Sequence, residues 1–121
     1  MSAIMTQAQA PDLAKAQAFA FKIVGDTTAT LMGTLSVVGD RLGLFETLAQ
    51  HGPLTTDDFA ARANIDPRYA REWLSAMACH GYVAYDDASE AFSLTPEQTF
   101  CLVNQESPLY LGGVFGMWPD Y

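Results

Sequence analysis

The sequence predicts a mainly α protein: a winged helix-turn-helix with a helical N-terminal extension, a two-stranded wing and C-terminal helices. Three observations predict this fold. Residues 54–81 carry two capped helical patterns separated by a short turn, residues 82–94 alternate as a hairpin does, and residues 11–50 are helical throughout. Helix, turn, helix and hairpin follow one another in the winged-helix order.

The N-terminal part of the chain divides into two segments. Residues 1–10 are rich in Gln and Ala and are predicted to be a disordered N-terminus, whereas residues 11–50 are predicted to form dimerisation helices. An apolar stripe runs along the second segment at helical spacing; it consists of Val24, Leu31, Leu35, Val38, Leu42 and Phe45. Because glycine costs roughly 1 kcal/mol relative to alanine inside a helix, we expect a break near Gly25 or Gly39.

The same segment predicts self-association. Gly25, Ala29 and Gly33 lie four residues apart on another face, and small residues at this spacing let a second backbone approach closely. The stripe also offers more apolar surface than one small winged-helix core covers. We therefore expect a homodimer with an interface at Gly25, Ala29, Leu31, Gly33, Leu35 and Val38.

Residues 51–104 form the predicted winged helix-turn-helix. Thr55 is the expected N-cap of its first helix, which ends at Asn64, a residue that tolerates the left-handed turn conformation. Asp66 and Pro67 then start the second helix as N-cap and first-turn proline. This helix ends at Gly81 and is expected to bury an apolar stripe of Ala70, Trp73, Leu74 and Met77.

Two further elements follow. Residues 86–90 form the polar turn of the wing hairpin, and Thr95 with Gln98 forms a reciprocal capping box at the start of another helix.

Charge argues against a nucleic-acid partner. The formal net charge is −8, and only six Lys and Arg residues are present, whereas duplex binding depends on bases set against phosphates. The wing turn carries Asp86, Asp87 and Glu90 without a compensating base. The alternative function is a winged-helix transcription regulator or a ligand-sensing interaction module. In the regulator, the phosphate and base contacts would come from Arg62, Arg68 and Arg71.

No catalytic or metal-binding pattern is found. The histidines and cysteines are scattered without ligand spacing, and no nucleophile elbow is present. Cys79 and Cys101 have no paired spacing and are expected to be buried, reduced thiols. The sequence contains no signal-peptide pattern and no apolar run long enough for a bilayer. We therefore expect a cytoplasmic protein without a membrane partner.

Five segments resemble a known family. They are 41–48 (RLGLFETL), 52–55 (GPLT), 71–74 (REWL), 81–83 (GYV) and 92–97 (FSLTPE). In this order and spacing they are similar to the N-terminal winged-helix dimerisation domain of bacterial S-adenosylmethionine-dependent methyltransferases of small molecules, including O-methyltransferases. The resemblance extends over residues 18–118.

The resemblance implies a function as a dimerisation and substrate-lid domain. In that family the domain supplies an intertwined dimer interface and part of the substrate wall, while a following Rossmann-like domain holds S-adenosylmethionine. That domain is absent from this sequence, so no cofactor-binding residue is carried over, and we expect the chain alone not to methylate the small-molecule substrate of the parent enzyme. Residues 105–121 are expected to start a connecting helix toward the absent catalytic domain. The expected lid contacts are Phe115, Met117 and Trp118.

Overall fold

The computed structural model describes residues 9–117. Contacts divide the chain into two compact units, one extending to Leu31 and one beginning at Met32. The elements are α1 (Leu13–Arg41), α2 (Leu44–His51), α3 (Thr56–Ala63), α4 (Pro67–Cys79), β1 (Ala84–Asp86), β2 (Ala91–Ser93), α5 (Pro96–Leu102) and α6 (Gly112–Phe115). The predicted winged helix-turn-helix fold is confirmed. The disorder predicted for residues 1–10 falls mostly outside the described residues and stays a prediction.

Helix α1 ends close to the second of the two positions at which the sequence predicts a break. It continues through Gly25, passes Gly39 and ends at Arg41, two residues further on. The chain turns at Gly43, whose φ of 69° lies in the left-handed region that favours glycine. Gly39 lies within the helix and against Trp73: a Cβ at Gly39 would lie 2.5 Å from Cζ2 of that ring. The missing side chain thus makes room for an aromatic ring.

The two central helices begin and end at the predicted residues or within two of them. The Thr55 hydroxyl accepts a hydrogen bond from the backbone N–H of Asp58 at 3.3 Å, which caps α3. Asn64 ends α3 in the left-handed conformation, with φ 57° and ψ 49°. The Asp66 carboxylate accepts from the N–H of Arg68 at 2.8 Å and caps α4. These signals are local, because each cap bond joins residues no more than three positions apart.

The wing is a short antiparallel hairpin with an additional partner. Tyr85 of β1 lies opposite Phe92 of β2. Phe92 also pairs with Leu54 through two backbone hydrogen bonds of 2.9 and 2.8 Å. The segment before α3 therefore extends the hairpin, a pairing that the sequence analysis does not predict.

Helix α5 starts with the predicted reciprocal capping box. The N–H of Thr95 donates to Oε1 of Gln98 at 2.9 Å, and the N–H of Gln98 donates to the Thr95 hydroxyl at 3.1 Å. The Gln98 side chain also donates to the carbonyl of Gly81 at 2.9 Å. One side chain thus caps α5 and ties it to the loop that follows α4.

The core of the second unit is centred on α4. The predicted stripe is buried as expected, and Trp73 is only 5% exposed. The Trp73 ring stacks on Phe59 with centroids 5.9 Å apart and meets Phe45 edge-on at 5.2 Å. Its Nε1 donates to the carbonyl of Leu35 at 2.9 Å. The other large buried apolar residues are Met32, Leu44, Leu48, Leu54, Leu74, Met77, Val83 and Phe92.

The cysteines differ from the prediction. Both are free, but Cys79 is exposed and Cys101 is half-buried, so the expectation of two buried thiols is wrong. Cys79 follows buried Met77 by two positions, which rotates it by about 200° to the opposite side of α4. Among residues 9–117, no helix is both long enough and apolar enough to cross a membrane.

Candidate functional site

The first unit presents open apolar surface on α1. Large apolar side chains are exposed at Leu13, Phe19, Phe21, Ile23, Val24 and Leu31. The predicted interface residues Gly25 and Ala29 are exposed as well, and a Cβ at Gly25 would meet nothing within 4 Å. Three of the six predicted interface residues, Gly25, Ala29 and Leu31, therefore lie open to solvent in this unit.

The second unit holds the other three predicted interface residues. Gly33 and Leu35 are half-buried, and Val38 is 40% exposed. Leu35 packs against the core, and its carbonyl accepts the hydrogen bond from Trp73. Leu35 thus contributes to the protein's own core, while Val38 remains accessible.

A mainly apolar cleft of about 450 Å³ lies beside α5 and α6. Its lining includes Tyr82, Cys101, Leu102, Leu111, Val114 and Phe115. Phe115, a predicted lid residue, is half-buried, and its ring stacks on Phe45 with centroids 6.2 Å apart. Tyr82, Leu111 and Val114 join it although the sequence analysis does not single them out. Their shared location arises from contacts between α5, α6 and the loop after α4, which no local pattern reveals.

The remaining lid residues do not form one site with Phe115 in the described structure. Met117 is 81% exposed. Trp118 lies outside the described residues. The structure therefore packs Phe115 on the core and leaves Met117 open.

The three arginines of the alternative function have different neighbours in the described structure. Nη1 of Arg62 lies 3.1 Å from Nδ1 of His51, and Nε of Arg68 lies 3.7 Å from the Glu72 carboxylate. Arg71 lines a second cleft, which measures about 550 Å³ and lies between α4 and the wing. Each arginine therefore has a separate environment.

The wing beside this second cleft is acidic. Partial burial raises the pKa of Tyr85, and the nearby carboxylates of Glu90, Asp87 and Asp86 raise it further. The Ser89 hydroxyl, followed by the Ser89 backbone N–H, lowers the pKa of Asp86 by donating hydrogen bonds to its carboxylate. The electrostatic field at the wing is thus negative, which disfavours phosphate.

The described part of the chain gives no evidence of a metal-binding site. Within residues 9–117, no group of three His, Cys, Asp or Glu side chains is placed to hold a metal ion.

The described elements form a winged helix-turn-helix whose wing is acidic. The family model of the Rv2258c-like winged HTH domain matches residues 29–104, and the chain belongs to this family. No curated protein sequence is significantly similar to the chain.

Solved structures share the fold. The chain superposes on PigF with SAH with a TM-score of 0.66 at 19% identity, covering 78% of this chain and 27% of that one. It superposes on N,N-8-amino-8-demethyl-D-riboflavin dimethyltransferase (RosA) from Streptomyces davawensis with a TM-score of 0.65 at 24% identity. This superposition covers 79% of this chain and 28% of that one. For the mitomycin 7-O-methyltransferase MmcR the TM-score is 0.61 at 24% identity, with coverage of 79% and 28%. The chain thus spans a little over a quarter of the length of these structures.

Proposed function

We propose that this chain is the dimerisation and substrate-lid domain of an S-adenosylmethionine-dependent methyltransferase that acts on small molecules. The observation that carries the proposal is the open apolar surface of α1, which belongs to a fold shared with solved methyltransferases. In this proposal the chain forms a homodimer, and methyl transfer takes place in another domain of a longer protein.

The exposed apolar side chains on α1 support a second copy as the partner. Large exposed apolar surface is typical of interaction sites, and six large apolar side chains are exposed on α1 between residues 13 and 31. Closed two-fold dimers are the commonest way to cover such a surface.

Helix spacing is the basis for the face that we propose the partner covers. Gly25 and Ala29 precede Met32 and Ser36 by seven residues each, and a seven-residue step returns nearly to the same face of a helix. Met32 and Ser36 are buried, whereas Gly25 and Ala29 are exposed. We propose that the corresponding helix of a second copy packs against Gly25 and Ala29.

The lid function rests on the chemistry of methyl transfer. Transfer from a sulfonium requires aligned reactants in a pocket that excludes water. The apolar cleft beside α6 and the exposed Met117 offer surface of this kind. We propose Phe115, Met117 and Trp118 as the residues nearest the substrate, with no cofactor held by this chain itself.

A cysteine cross-link tests the location of the interface. In a background of Cys79→Ser and Cys101→Ser, Ala29→Cys should form a disulfide-linked dimer under mild oxidation if the two helices cross there, because a disulfide needs Cα atoms within about 7 Å. Thr30→Cys is the matched control, since it lies one position along the same helix and about 100° around it. Equal cross-linking of both variants, or none at Ala29→Cys, would refute this crossing point.

A DNA titration distinguishes the proposal from a transcription regulator. We expect random duplex DNA at low salt to bind no more tightly than about 100 μM, the weak end of non-specific binding, because the net charge is −8 and the wing is acidic. Fluorescence anisotropy of labelled duplex measures this. Micromolar affinity that falls steeply with added salt would favour the regulator and contradict the lid function.

A further inference from the structure

The cleft between α4 and the wing has the composition of a ligand site. It measures about 550 Å³ and is lined by residues of α3, α4 and the hairpin, among them Asp57, Arg71, Ser75, Tyr85, Glu90 and Phe92. This volume lies in the range of small-molecule sites. Side chains from distant parts of the sequence converge here, and neither dimerisation nor the lid uses them.

The charged groups in the cleft lack partners in the described structure. No hydrogen bond or ion pair joins Asp57, Arg71 or Glu90 to another side chain among residues 9–117. Two of these groups are carboxylates and one is a guanidinium, so the lining carries a net negative charge. Asp86 and Asp87, which add to the field at Tyr85, make the surroundings more negative still.

Two aromatic rings in the cleft lining offer a second kind of contact to a ligand. The rings of Tyr85 and Phe92 lie with centroids 4.8 Å apart, and both line the cleft. Phe92 is buried, which fixes its position, while Tyr85 is 45% exposed. An exposed tyrosine ring beside carboxylates attracts cations through both its π-face and the neighbouring charge.

We propose that this cleft binds a small organic cation, namely an ammonium group carried on an aromatic or aliphatic body. The ammonium group is attracted by Asp57 and Glu90, and the apolar body packs against Tyr85 and Phe92. In DNA-binding winged helices the second helix of the motif reads DNA, whereas the cleft beside that helix is lined here by two carboxylates and one guanidinium. The proposal is independent of dimerisation.

The test compares three probes of one shape in NMR titrations of the ¹⁵N-labelled full chain. The probes are 2-phenylethylammonium, neutral 2-phenylethanol and anionic 3-phenylpropionate. We expect the ammonium probe to shift the amides of Asp57, Ser75 and Glu90 and to bind about five-fold more tightly than the alcohol, the size expected for exposed charge pairs. Absence of these shifts at millimolar probe, equal affinity for alcohol and ammonium, or a preference for the anion would overturn the proposal.

Variants that each neutralise one carboxylate test whether the ammonium probe binds in the cleft. Glu90→Gln should weaken ammonium binding about three-fold, in line with one exposed ion pair, and leave the affinity for the alcohol unchanged. Asp87→Asn is the matched control, since Asp87 lies on the same wing but outside the cleft lining, and it should change the ammonium affinity less. An equal loss of ammonium affinity in both variants would show that the probe responds to the overall negative charge of the wing. That result would refute binding in the cleft. The dispersion of each spectrum reports whether the variant is folded.

Discussion

At the scale of single residues, the contact between Trp73 and Gly39 determines how α1 joins the core. Trp73 packs against Phe45 and Phe59, and its indole donates to the Leu35 carbonyl. A Cβ at Gly39 would lie 2.5 Å from Cζ2 of the indole, which is closer than side-chain atoms approach one another. Gly39 is therefore required by packing and not by backbone conformation.

This contact predicts opposite outcomes for two glycine substitutions. Gly39→Ala should lower the free energy of unfolding by about 1–3 kcal/mol, the usual cost of overpacking, despite the better helix propensity of alanine. Gly113→Ala in α6 is the control, because nothing lies within 4 Å of its Cβ position, and it should leave stability unchanged or slightly higher. Urea unfolding measures both. A Gly39→Ala variant as stable as the parent would contradict the packing described here.

Residue-scale features could be predicted only where their cause is local. The caps at Thr55 and Asp66 and the left-handed Asn64 follow from neighbours no more than three positions away, and all were predictable. The exposure of Cys79 was predicted wrongly, although its position opposite buried Met77 on α4 carried the signal. The composition of the α4–wing cleft could not be predicted, because it depends on contacts between distant segments.

At the scale of elements, the wing turn is ordered by one carboxylate. Asp86 accepts hydrogen bonds from the N–H and hydroxyl of Ser89, which hold its pKa below the ordinary value of 3.8. A pKa that is lower in the folded than in the unfolded chain favours the fold at pH above the unfolded value. That contribution is lost as the pH falls through the folded value.

The wing turn therefore predicts a pKa change. Ser89→Ala removes the side-chain donor, the largest cause of the shift, so the pKa of Asp86 should rise toward 3.8. It should not reach that value, because the backbone N–H of Ser89 remains a donor. A pH titration of the ¹³C carboxyl resonance of Asp86 measures the change. An unaltered pKa would mean that the Ser89 hydroxyl does not stabilise the carboxylate.

Element boundaries show what the sequence could not predict. Helix propensity predicted a break near Gly25 or Gly39; the helix continues through Gly25 and ends at Arg41, and the chain turns at Gly43. The pairing of Leu54 with Phe92 joins segments far apart in sequence, so periodicity gives no indication of it. The hairpin and α5 were predictable because alternation and a capping box are local patterns.

At the scale of the whole molecule, the central proposal is that two copies associate through α1. The family model over residues 29–104 establishes the family, and the superpositions show the shared fold; the sequence was sufficient to predict both. For α1 the sequence predicted an excess of apolar surface, and the structure leaves several large apolar side chains of this helix exposed. In the proposed dimer, the net charge of −8 would limit further association.

Two charge variants test where the copies meet. Ala29→Arg introduces a bulky cation at the proposed crossing and should weaken the dimer by at least tenfold, because an unpaired charge buried in an interface costs several kcal/mol. Thr30→Arg adds the same charge one position along α1 and should weaken the dimer less. Ala29 is exposed in the single chain, so its substitution should leave the fold intact, which circular dichroism verifies.

Sedimentation equilibrium of the unmodified chain at micromolar concentration tests the claim most directly. We expect a mass of twice the 13.1 kDa of one chain, falling toward a single chain in Ala29→Arg and remaining near the dimer in Thr30→Arg. A mass of 13.1 kDa for the unmodified chain would contradict the account and leave the exposed apolar surface of α1 without a partner.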